Sequence, residues 1–409
     1  MYKKISSCRV CKKNKLIDIL NLGNQPLANA LIKLKKNLKK EKRVPLVLTI
    51  CKNCKLIQLK HTVHPKILFK NYLWVTGTSK KVKQYRKFFF SKIKKYFRKK
   101  NNFICEIASN DGFFLEYIKK QHDVLGVDPA ENLAKIALSK GVDTISDFFN
   151  FKTSNKIIKL KKKRPNLVIC RNVIPHIENI DQVMKGIQNI LSKDGVGIIE
   201  FHNASNLIDK NHYDYVYHEH IFYFTLNSIS RILKRYNLYA FDCFKSPVSG
   251  GSYVILFKKI KTKKTSFFTK TILKEKSNKL DRLSNWSLLK NKVITHKKQL
   301  TTLINKCGDS KILTAYGASA RSSTLLNYLE LDKKKITKIF DISPYKKNYL
   351  TPGTHIKINI PTKKNITKTN LIILLAWNFK REILNFLKKL NYKGDIIEPL
   401  PTIKKYKLN

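Results

Sequence analysis

Acidic residues are scarce in this chain of 409 residues. It has 27 Asp and Glu against 83 Lys and Arg, which gives a formal net charge of +56 at pH 7. A charge of this size is typical of nucleic-acid-binding proteins. Here, however, lysine is spread over nearly every segment and Asn and Ile are abundant, as in the products of AT-rich coding sequence. Because functional basic patches cluster, we interpret the charge as compositional drift that still attracts anionic ligands over long range.

Long hydrophobic runs are also missing. The longest apolar stretch, Leu371–Trp377, is far too short to span a bilayer. Residues Met1–Lys13 are polar and contain no apolar core, which predicts that no secretory signal peptide is present. We therefore expect a cytoplasmic protein with no membrane partner. At 43% hydrophobic residues, the chain is long enough to form two or three domains.

The eight cysteines do not predict a disulfide framework, which is rare in a reducing cytoplasm. Four of them form two Cys-x-x-Cys pairs, Cys8 with Cys11 and Cys51 with Cys54. Two such pairs supply the four soft ligands that tetrahedral Zn²⁺ prefers. A redox pair is the alternative, but a redox Cys-x-x-Cys is normally single. Since four cysteines leave no open coordination position, we expect the zinc to be structural.

A strand, turn, helix and strand follow one another between residues 103 and 128. Phe103–Ile107 is predicted to be a buried strand, Ala108–Gly112 a turn, and Val124–Asp128 a second strand ending on a carboxylate. The turn lacks both GxGxxG and GK[ST] spacing, so it is not a phosphate cradle. The terminal acid is placed to accept hydrogen bonds from ribose hydroxyls. A polar, acidic loop beside it suits a cationic nucleoside without phosphate, and S-adenosylmethionine fits this description.

The alternation of strands and helices continues beyond this unit. Asn166–Val173 and Val196–Phe201 have the pattern of core strands, and Asp181–Leu191 that of an amphipathic helix. This order predicts a parallel sheet covered on both faces. Ligands of such sheets bind at the carboxyl ends of the strands. Polar residues are predicted there at five positions: Asn110, Asp111, Asp128, Asn172 and His176.

The run Tyr217-His218-Glu219-His220 places four proton-handling groups side by side. A histidine is suited to act as a base near neutral pH, a carboxylate to orient it, and a tyrosine hydroxyl to hydrogen-bond a developing oxyanion. In an extended segment the side chains of Tyr217 and Glu219 would share one face, whereas a turn would break this alternation of faces. A zinc or structural histidine cluster is the alternative, but the cofactor unit upstream favours catalysis.

A second α/β pattern begins near residue 311, after a Lys/Thr-rich break at 259–278 and a predicted helix, Leu280–Ile304. Gly317 lies in a turn between a predicted strand and a helix. Its backbone N–H groups are candidates for binding a diphosphate, with Arg321 close by. A plain strand-to-helix turn is the alternative interpretation.

Several longer motifs occur in a fixed order along the chain. They are Pro26-Leu27-Ala28-Asn29 between the cysteine pairs, Glu106–Gly112, Gly126–Pro129, Asn172–Ile177, Tyr217–His220, Gly250–Ser252, Pro352–Ile356 and Ala376–Asn378. With them the chain resembles, over essentially its whole length, the S-adenosylmethionine-dependent sugar C-methyltransferases, including the C-3'-methyltransferases of deoxysugar biosynthesis. The chain departs from this family at three positions. Ala108 stands where the family usually has Gly, Pro175 is unusual before the histidine, and Arg321 stands where Lys is common.

The resemblance implies an α/β protein in three parts. These are a small zinc-binding module (1–70), a Rossmann-like S-adenosylmethionine methyltransferase domain (71–258) and a second Rossmann-like α/β domain (311–409) that binds the substrate. A helical connector (259–310) joins the last two. The implied cofactors are S-adenosylmethionine and structural Zn²⁺. The implied substrate is a nucleotide-linked keto-deoxysugar, and no specific nucleic acid is expected.

The resemblance also implies roles for individual residues. His220 is the expected base and Glu219 its partner, with Tyr217, His176 and Tyr72 around the keto sugar. The expected cofactor-binding residues are Ser109, Asn110, Asp111, Gly112, Asp128, Pro129, Asp147, Phe148 and Asn172. The expected substrate-binding residues are His218, Ser319, Arg321 and Asn378. Because small zinc modules often bind nucleic acid, a zinc-containing nucleic-acid-binding protein is the alternative function.

Overall fold

The computed structural model describes residues 2–34, 41–69, 76–78, 80–97, 101–307 and 313–408. One residue of the expected site, Tyr72, lies outside these ranges. Among the helices of the described ranges, none combines the length and the apolar character needed to cross a bilayer.

The N-terminal part is a small antiparallel β structure. Its elements are β1 (Tyr2–Lys4), β2 (Leu16–Pro26), β3 (Ile32–Lys33), β4 (Arg43–Cys51), β5 (Ile57–Leu59), β6 (His61–Val63) and α1 (Pro65–Phe69). Strand β4 pairs with β2 on one side and with β5 on the other, both antiparallel. The two Cys-x-x-Cys pairs flank this sheet, because Cys51 ends β4 and Cys54 lies in the turn that leads to β5.

The middle part is a seven-stranded sheet with helices on both faces. Its elements are α2 (Lys80–Ile93), β7 (Phe103–Ile107), α3 (Phe113–Glu116), β8 (Asp123–Val127), α4 (Glu131–Ser139), β9 (Thr144–Ile145), α5 (Phe151–Lys161), β10 (Leu167–Arg171), α6 (Ile180–Ile190), β11 (Val196–His202), α7 (Ser205–Asp209), β12 (Phe222–Tyr223), α8 (Leu226–Arg235), β13 (Tyr239–Ser246) and β14 (Ser252–Lys258). The strand order is β13-β14-β11-β10-β7-β8-β9. Strand β12 belongs to another sheet.

The parallel sheet predicted for residues 103–201 is confirmed, and two antiparallel strands that follow it in the chain extend one edge. Strands β7 to β11 are parallel. Strand β14 runs antiparallel to β11, and β13 runs antiparallel to β14. A short connection at residues 247–251 joins β13 to β14, and such a connection can join only antiparallel neighbours. The carboxyl ends of β7 to β11 still meet at one edge, as predicted.

Each face of the sheet carries its own core. Along β10, Leu167 and Ile169 face the cluster that contains α2, while Val168 and Cys170 face the cluster that contains α6 and α8. Side chains alternate between the two faces of a strand, so burial of both faces makes these strands continuous apolar runs. This explains why they could be recognised from the sequence.

The C-terminal part is a second α/β unit. Its elements are α9 (Ser266–Ser277), α10 (Leu283–Lys306), β15 (Leu313–Tyr316), α11 (Ala320–Leu329), β16 (Ile339–Phe340), β17 (Tyr349–Leu350), β18 (Ile358–Asn359), α12 (Lys363–Ile366), β19 (Leu371–Leu374), α13 (Lys380–Lys389), β20 (Asp395–Glu398) and β21 (Lys404–Lys407). The sheet order is β18-β16-β15-β19-β20-β21, and β21 is its antiparallel edge. The α/β fold class expected for both large parts is confirmed.

Two short strands connect the N-terminal part to the rest of the chain. Strand β12 pairs with β5 and extends the N-terminal sheet to four strands, while β17 pairs with β3. Immediately before β12, Ile221 accepts a hydrogen bond from the Leu59 amide at 2.8 Å and donates its own amide to Pro175 at 2.7 Å. The segment that follows His220 is therefore held between the N-terminal sheet and the loop that carries His176.

Candidate active site

The four cysteine sulfurs converge at one point of the N-terminal part. The Sγ atoms of Cys8, Cys11, Cys51 and Cys54 all lie within 4.8 Å of one another. Cys8 and Cys54 are 3.6 Å apart, and Cys11 and Cys51 are 3.5 Å apart. A Zn–S distance of about 2.3 Å separates tetrahedral sulfurs by about 3.8 Å, so a cluster of this size fits Zn²⁺.

Polar groups around the sulfurs also suit a zinc thiolate centre. The Gln58 amide donates to the Cys8 sulfur at 3.1 Å. The buried Arg9 guanidinium donates to the Gln58 oxygen at 3.2 Å and brings a positive charge next to Cys8. Such outer hydrogen bonds orient metal ligands and offset the negative charge of four thiolates. A Zn²⁺ ion bound by these four cysteines would cross-link the two Cys-x-x-Cys segments of the chain.

The loop after β7 is shaped by backbone conformation. Ala108, Asn110 and Gly112 have φ values of 56°, 54° and 68°, in the left-handed region. A Cβ on Gly112 would lie 3.0 Å from the Ala137 Cβ, so glycine is required where the loop passes α4. The Asp128 carboxylate accepts the Asn110 amide at 2.8 Å and the Ala130 amide at 2.9 Å. Asp128 thus ties the first loop to the start of α4.

Several buried acceptors of this loop region have no hydrogen-bond partner within the described residues. They are Glu106 Oε2, Ser109 Oγ, Asp111 Oδ1 and Asn172 Oδ1. Buried polar atoms are almost always partnered, so these atoms point to a ligand that donates hydrogen bonds. Burial raises the pKa of Glu106, which a cationic ligand would counteract. The set fits S-adenosylmethionine, whose ammonium and sulfonium groups are cationic and whose ribose hydroxyls donate.

The other expected cofactor residues lie at the same edge of the sheet. Pro129 follows Asp128 and is half-buried, while Asp147 and Phe148 are exposed in the loop after β9. The Asp147 carboxylate accepts the Phe148 amide at 2.7 Å. Their placement beside the carboxyl ends of β8 and β9 is the placement expected of cofactor-binding residues.

Replacing Asp128 by Asn should weaken binding of S-adenosylhomocysteine about tenfold to a hundredfold. The reason is that the amide turns a donor toward one of the two backbone N–H groups that the carboxylate now accepts. Isothermal titration calorimetry measures this directly. The matched control is Asp123→Asn, which removes an acid from the opposite end of β8, where it pairs with Lys161 and Lys163. Equal affinities for the Asp128 and Asp123 variants would contradict the prediction.

The segment Tyr217–His220 forms a turn and not an extended strand. The His220 amide donates to the Tyr217 carbonyl at 2.9 Å. The turn brings the Tyr217 hydroxyl within 2.8 Å of His220 Nε2. His220 Nδ1 lies 3.1 Å from the Tyr215 carbonyl. Because a carbonyl only accepts, Nδ1 carries the proton and Nε2 is the acceptor nitrogen.

His176 packs against His220, with ring centroids 4.7 Å apart. It lies in a 3₁₀ turn, Ile174–His176, and its Nδ1 donates to the Glu219 carbonyl at 2.8 Å. Burial lowers the pKa of His220 well below its usual value. Burial also lowers the pKa of His176 to about 4. Both imidazoles are therefore neutral at pH 7, as a general base must be.

The other two members of the run face the N-terminal sheet. The Asn29 amide donates to Glu219 Oε1 at 2.6 Å, and His218 Nε2 donates to the Val44 carbonyl at 3.1 Å. The partners of the His220 nitrogens are Tyr215 and Tyr217. The structure thus brings Tyr217, His176 and His220 together, and it places the Glu219 carboxylate and the His218 ring on the other side of the turn.

The stability of the protein should depend on pH through Glu219. Burial raises the pKa of this carboxyl from 4.5 to about 7. Between pH 4.5 and 7 the carboxyl of Glu219 is ionised in the unfolded chain but keeps its proton in the native state. The free energy of unfolding therefore falls as pH rises through this window. Glu219→Gln removes the effect. Relative to wild type, the variant should therefore gain about 3 kcal/mol of unfolding free energy between pH 4.5 and 8.

Urea unfolding at the two pH values checks this expectation. Glu275, whose pKa burial also raises to about 7, accepts the amides of Leu226 and Asn227 at the start of α8. Glu275 therefore also makes the stability of the wild-type protein fall with pH between 4.5 and 7. Only the difference in unfolding free energy between Glu219→Gln and wild type reports on Glu219. A difference that stays constant from pH 4.5 to 8 would rule out a protonated Glu219.

The C-terminal part contacts the active-site segment through a buried ion pair. Arg321 Nε and Nη2 donate to the two Asp214 oxygens at 2.9 and 2.8 Å, and Trp377 Nε1 donates to Asp214 at 2.9 Å. The Arg321 guanidinium also lies 4.5 Å from the Trp377 ring centre. Ser319 caps the start of α11, where its side chain accepts the Ser322 amide. Asn378 follows Trp377 in a 3₁₀ turn.

Sequence reasoning missed four residues of this region. Asn29 was named only as part of a motif and Asp214 was not singled out, although each contacts an expected site residue directly. His202 and His212 were not considered, and their rings stack with centroids 5.6 Å apart beside Tyr215 and Trp377. The available signal was that Asn29 ends a motif and that Asp214 lies three residues before Tyr217, whereas no motif marked the two histidines.

Comparison with known proteins finds family matches along most of the chain. Family models match three consecutive parts of the chain: a zinc binding domain (8–69), a methyltransferase domain (82–241) and a C-methyltransferase C-terminal domain (247–401). Among solved structures, the PH0226 protein of Pyrococcus horikoshii OT3 is 16% identical, with a TM-score of 0.37, over 48% of this chain and 96% of that one. Magnesium protoporphyrin IX methyltransferase of Synechocystis PCC 6803 is 11% identical, with a TM-score of 0.33, over 43% and 78%.

The sheet, its cofactor loop and the four-cysteine cluster define an S-adenosylmethionine-dependent methyltransferase with a zinc-binding module. The chain is also 28% identical over 405 residues to the C-methyltransferase NovU of Streptomyces niveus, covering 98% of this chain and 96% of that protein. The three domain models match in order along the chain, and the chain is similar to this C-methyltransferase over nearly its whole length.

Proposed function

We propose that the protein methylates a ring carbon next to a ketone in a nucleotide-linked keto-deoxysugar. The observation that supports this most directly is His220. Its imidazole is neutral, its Nε2 is the acceptor nitrogen, and the Tyr217 hydroxyl lies 2.8 Å from it. A carbon acid needs such a base, and the oxyanion formed on deprotonation needs a hydrogen-bond donor.

The first step is proton removal by His220. A carbon beside a ketone loses its proton to Nε2, the C–H electron pair forms the enolate, and the ketone oxygen becomes an oxyanion. The Nδ1 proton donates to the Tyr215 carbonyl, so the imidazolium keeps its orientation. His176 lies against the same ring and, being neutral, does not oppose this charge.

The Tyr217 hydroxyl has two acceptors in succession. In the structure it donates to His220 Nε2, which holds the base in place. Nε2 has a single lone pair, so the hydroxyl must turn to the ketone oxygen before Nε2 takes the carbon-bound proton, and there it donates to the enolate oxygen that forms. The same pair of residues thus handles both the proton and the oxyanion.

Bound at Ser109, Asp111, Asp128 and Asn172, S-adenosylmethionine supplies an electrophilic methyl group at a sulfonium. The residues of this chain hold the nucleophilic carbon beside it and exclude water. His220 is 3% exposed, so the site is dry and its hydrogen bonds are correspondingly strong.

We place the substrate between the middle and C-terminal parts. Asp214 lies three residues before Tyr217 and binds Arg321 and Trp377, so the C-terminal part docks directly on the active-site segment. Ser319, Arg321 and Asn378 all lie at this junction. The Gly317 turn, with a φ of 101°, precedes them at the end of β15.

Incubating the zinc-loaded protein with S-adenosylmethionine and a panel of nucleotide-linked 4-keto-6-deoxysugars tests the proposal. Mass spectrometry should show one sugar gaining a single CH₂. In D₂O without the cofactor, the same sugar should exchange one carbon-bound hydrogen. Methylation of a non-sugar ketone, with none of the sugars modified, would disprove the proposed substrate class.

A further inference from the structure

Two buried histidines outside the proposed mechanism line the wall beside His220. His202 ends β11 and is 3% exposed, and His212, which precedes the 3₁₀ turn Tyr213–Tyr215, is 0% exposed. The His202 ring packs on Tyr215 at 3.8 Å between centroids, and Tyr215 packs on His220 at 4.2 Å. His212 continues the stack to Trp377 at 4.6 Å. These stacked rings therefore form a continuous wall from His220 to Trp377 of the C-terminal part.

The ring nitrogens of both histidines are without hydrogen-bond partners among the described residues. Leaving a buried polar group unpaired is costly, so such groups are rarely tolerated unless they serve a ligand. Each neutral imidazole offers one N–H donor and one acceptor nitrogen. Together the pair matches a ligand that carries both anionic oxygens and hydroxyl groups.

Positive charge surrounds the two rings. After burial, Arg321 and Lys210 are among the causes that lower the pKa of His202 well below its usual value. The same two cations act on His212, whose pKa falls to about 3, mainly by burial. The nearby Asp214 carboxylate is already bound by Arg321 and Trp377. An anion beside the rings is therefore attracted by the exposed Lys210 and meets little opposing charge.

Two glycines keep side chains out of this space. Gly250 and Gly251 have φ values of 81° and 121°, which side chains rarely tolerate. A Cβ on Gly250 would lie 3.3 Å from His212 Cε1 and 3.5 Å from Arg321 Nη1. A Cβ on Gly251 would lie 3.7 Å from Lys210 Nζ. The absence of side chains at the two glycines thus lets the backbone of this turn lie close to Lys210, His212 and Arg321.

We propose that His202, His212 and Lys210 form a phosphate subsite. If the proposed function holds, on which this identification rests, the subsite binds the diphosphate of the nucleotide-linked sugar while the sugar ring reaches His220. The imidazole N–H groups donate to phosphate oxygens, the acceptor nitrogens receive sugar hydroxyls, and Lys210 closes the outer side.

The test uses inorganic pyrophosphate and the full zinc-loaded chain saturated with S-adenosylhomocysteine. Calorimetry should show that His212→Phe and Lys210→Gln each weaken pyrophosphate binding at least tenfold. Lys193→Gln, which removes the same charge from an exposed position before β11, should leave it unchanged. Affinity for S-adenosylhomocysteine and zinc content establish that each variant is folded. Because Lys210 is exposed, its variant provides the test even if His212→Phe misfolds.

Three results would overturn the subsite: no pyrophosphate binding to the wild-type protein, equal binding to Lys210→Gln, or an equal loss in Lys193→Gln. The assay needs no sugar substrate, so its outcome is independent of the proposed reaction. Selective loss in the two variants without methylation of any keto sugar would support the subsite and reject the sugar substrate. Methylation of a keto sugar, with unchanged pyrophosphate binding in both variants, would support the sugar substrate and reject the subsite.

Discussion

His220→Asn should lower kcat by about 10²–10⁴-fold, the usual contribution of a positioned base, and leave the affinity for S-adenosylhomocysteine unchanged. The asparagine amide has no basic nitrogen, so it cannot take a proton from carbon. The cofactor loop is tied to Asp128 and to the start of α4, whereas the nitrogens of the His220 ring are bonded to Tyr215 and Tyr217. Calorimetry and initial rates on the same protein samples measure both quantities.

Hydrogen exchange separates this role from a structural one. Wild type should exchange the acidic carbon-bound hydrogen of the sugar in D₂O, and His220→Asn should not. His64→Asn is the matched control, because it makes the same substitution at an exposed histidine of the N-terminal part. Loss of cofactor binding in His220→Asn, or undiminished exchange, would remove His220 from the role of base.

Cys51→Ser should abolish zinc binding, unfold the N-terminal part and eliminate activity together. Structural zinc in small modules contributes about 10 kcal/mol or more of apparent free energy, comparable to the whole stability of a typical domain. Cys51 is fully buried at the end of β4, so its loss also removes the anchor of the central strand of that sheet. Zinc content, the melting temperature and kcat are the measurements.

Cys307→Ser is the control for this substitution, because Cys307 is half-buried at the end of α10 and is not one of the four clustered cysteines. Removal of zinc from wild type by a chelator should reproduce the Cys51→Ser phenotype, and added zinc should reverse it. Retained melting temperature and activity after complete zinc loss would show that the cluster is not a structural centre and would revive the redox interpretation.

The strands of the two large sheets were predictable because burial on both faces leaves continuous apolar runs. The predicted limits of β7, Phe103–Ile107, agree with the structure residue by residue. Helix α9 was missed, since lysine and threonine dominate its sequence and only a narrow stripe, including Phe268 and Thr271, is buried. The antiparallel edge of the middle sheet was missed because pairing direction follows from connection length and packing, which local periodicity does not report.

The members of the site could be proposed from the sequence, but not their contacts. The Asn29–Glu219 hydrogen bond joins residues 190 positions apart, and the Asp214–Arg321 pair joins residues 107 positions apart. Neither follows from the composition or spacing of a short motif. The turn at Tyr217–His220 depends on β12, whose two residues become a strand only by pairing with β5.

Strand β12 has a consequence for dissecting this enzyme. Its Phe222 is two residues beyond the base, yet its ladder partner is Gln58 of the N-terminal sheet. An excised middle domain would leave this strand without its ladder, expose Phe222 to solvent and free the turn that orients the imidazole. The N-terminal zinc-binding part and the catalytic centre must therefore be kept together when the protein is expressed in parts or when domains are exchanged between relatives.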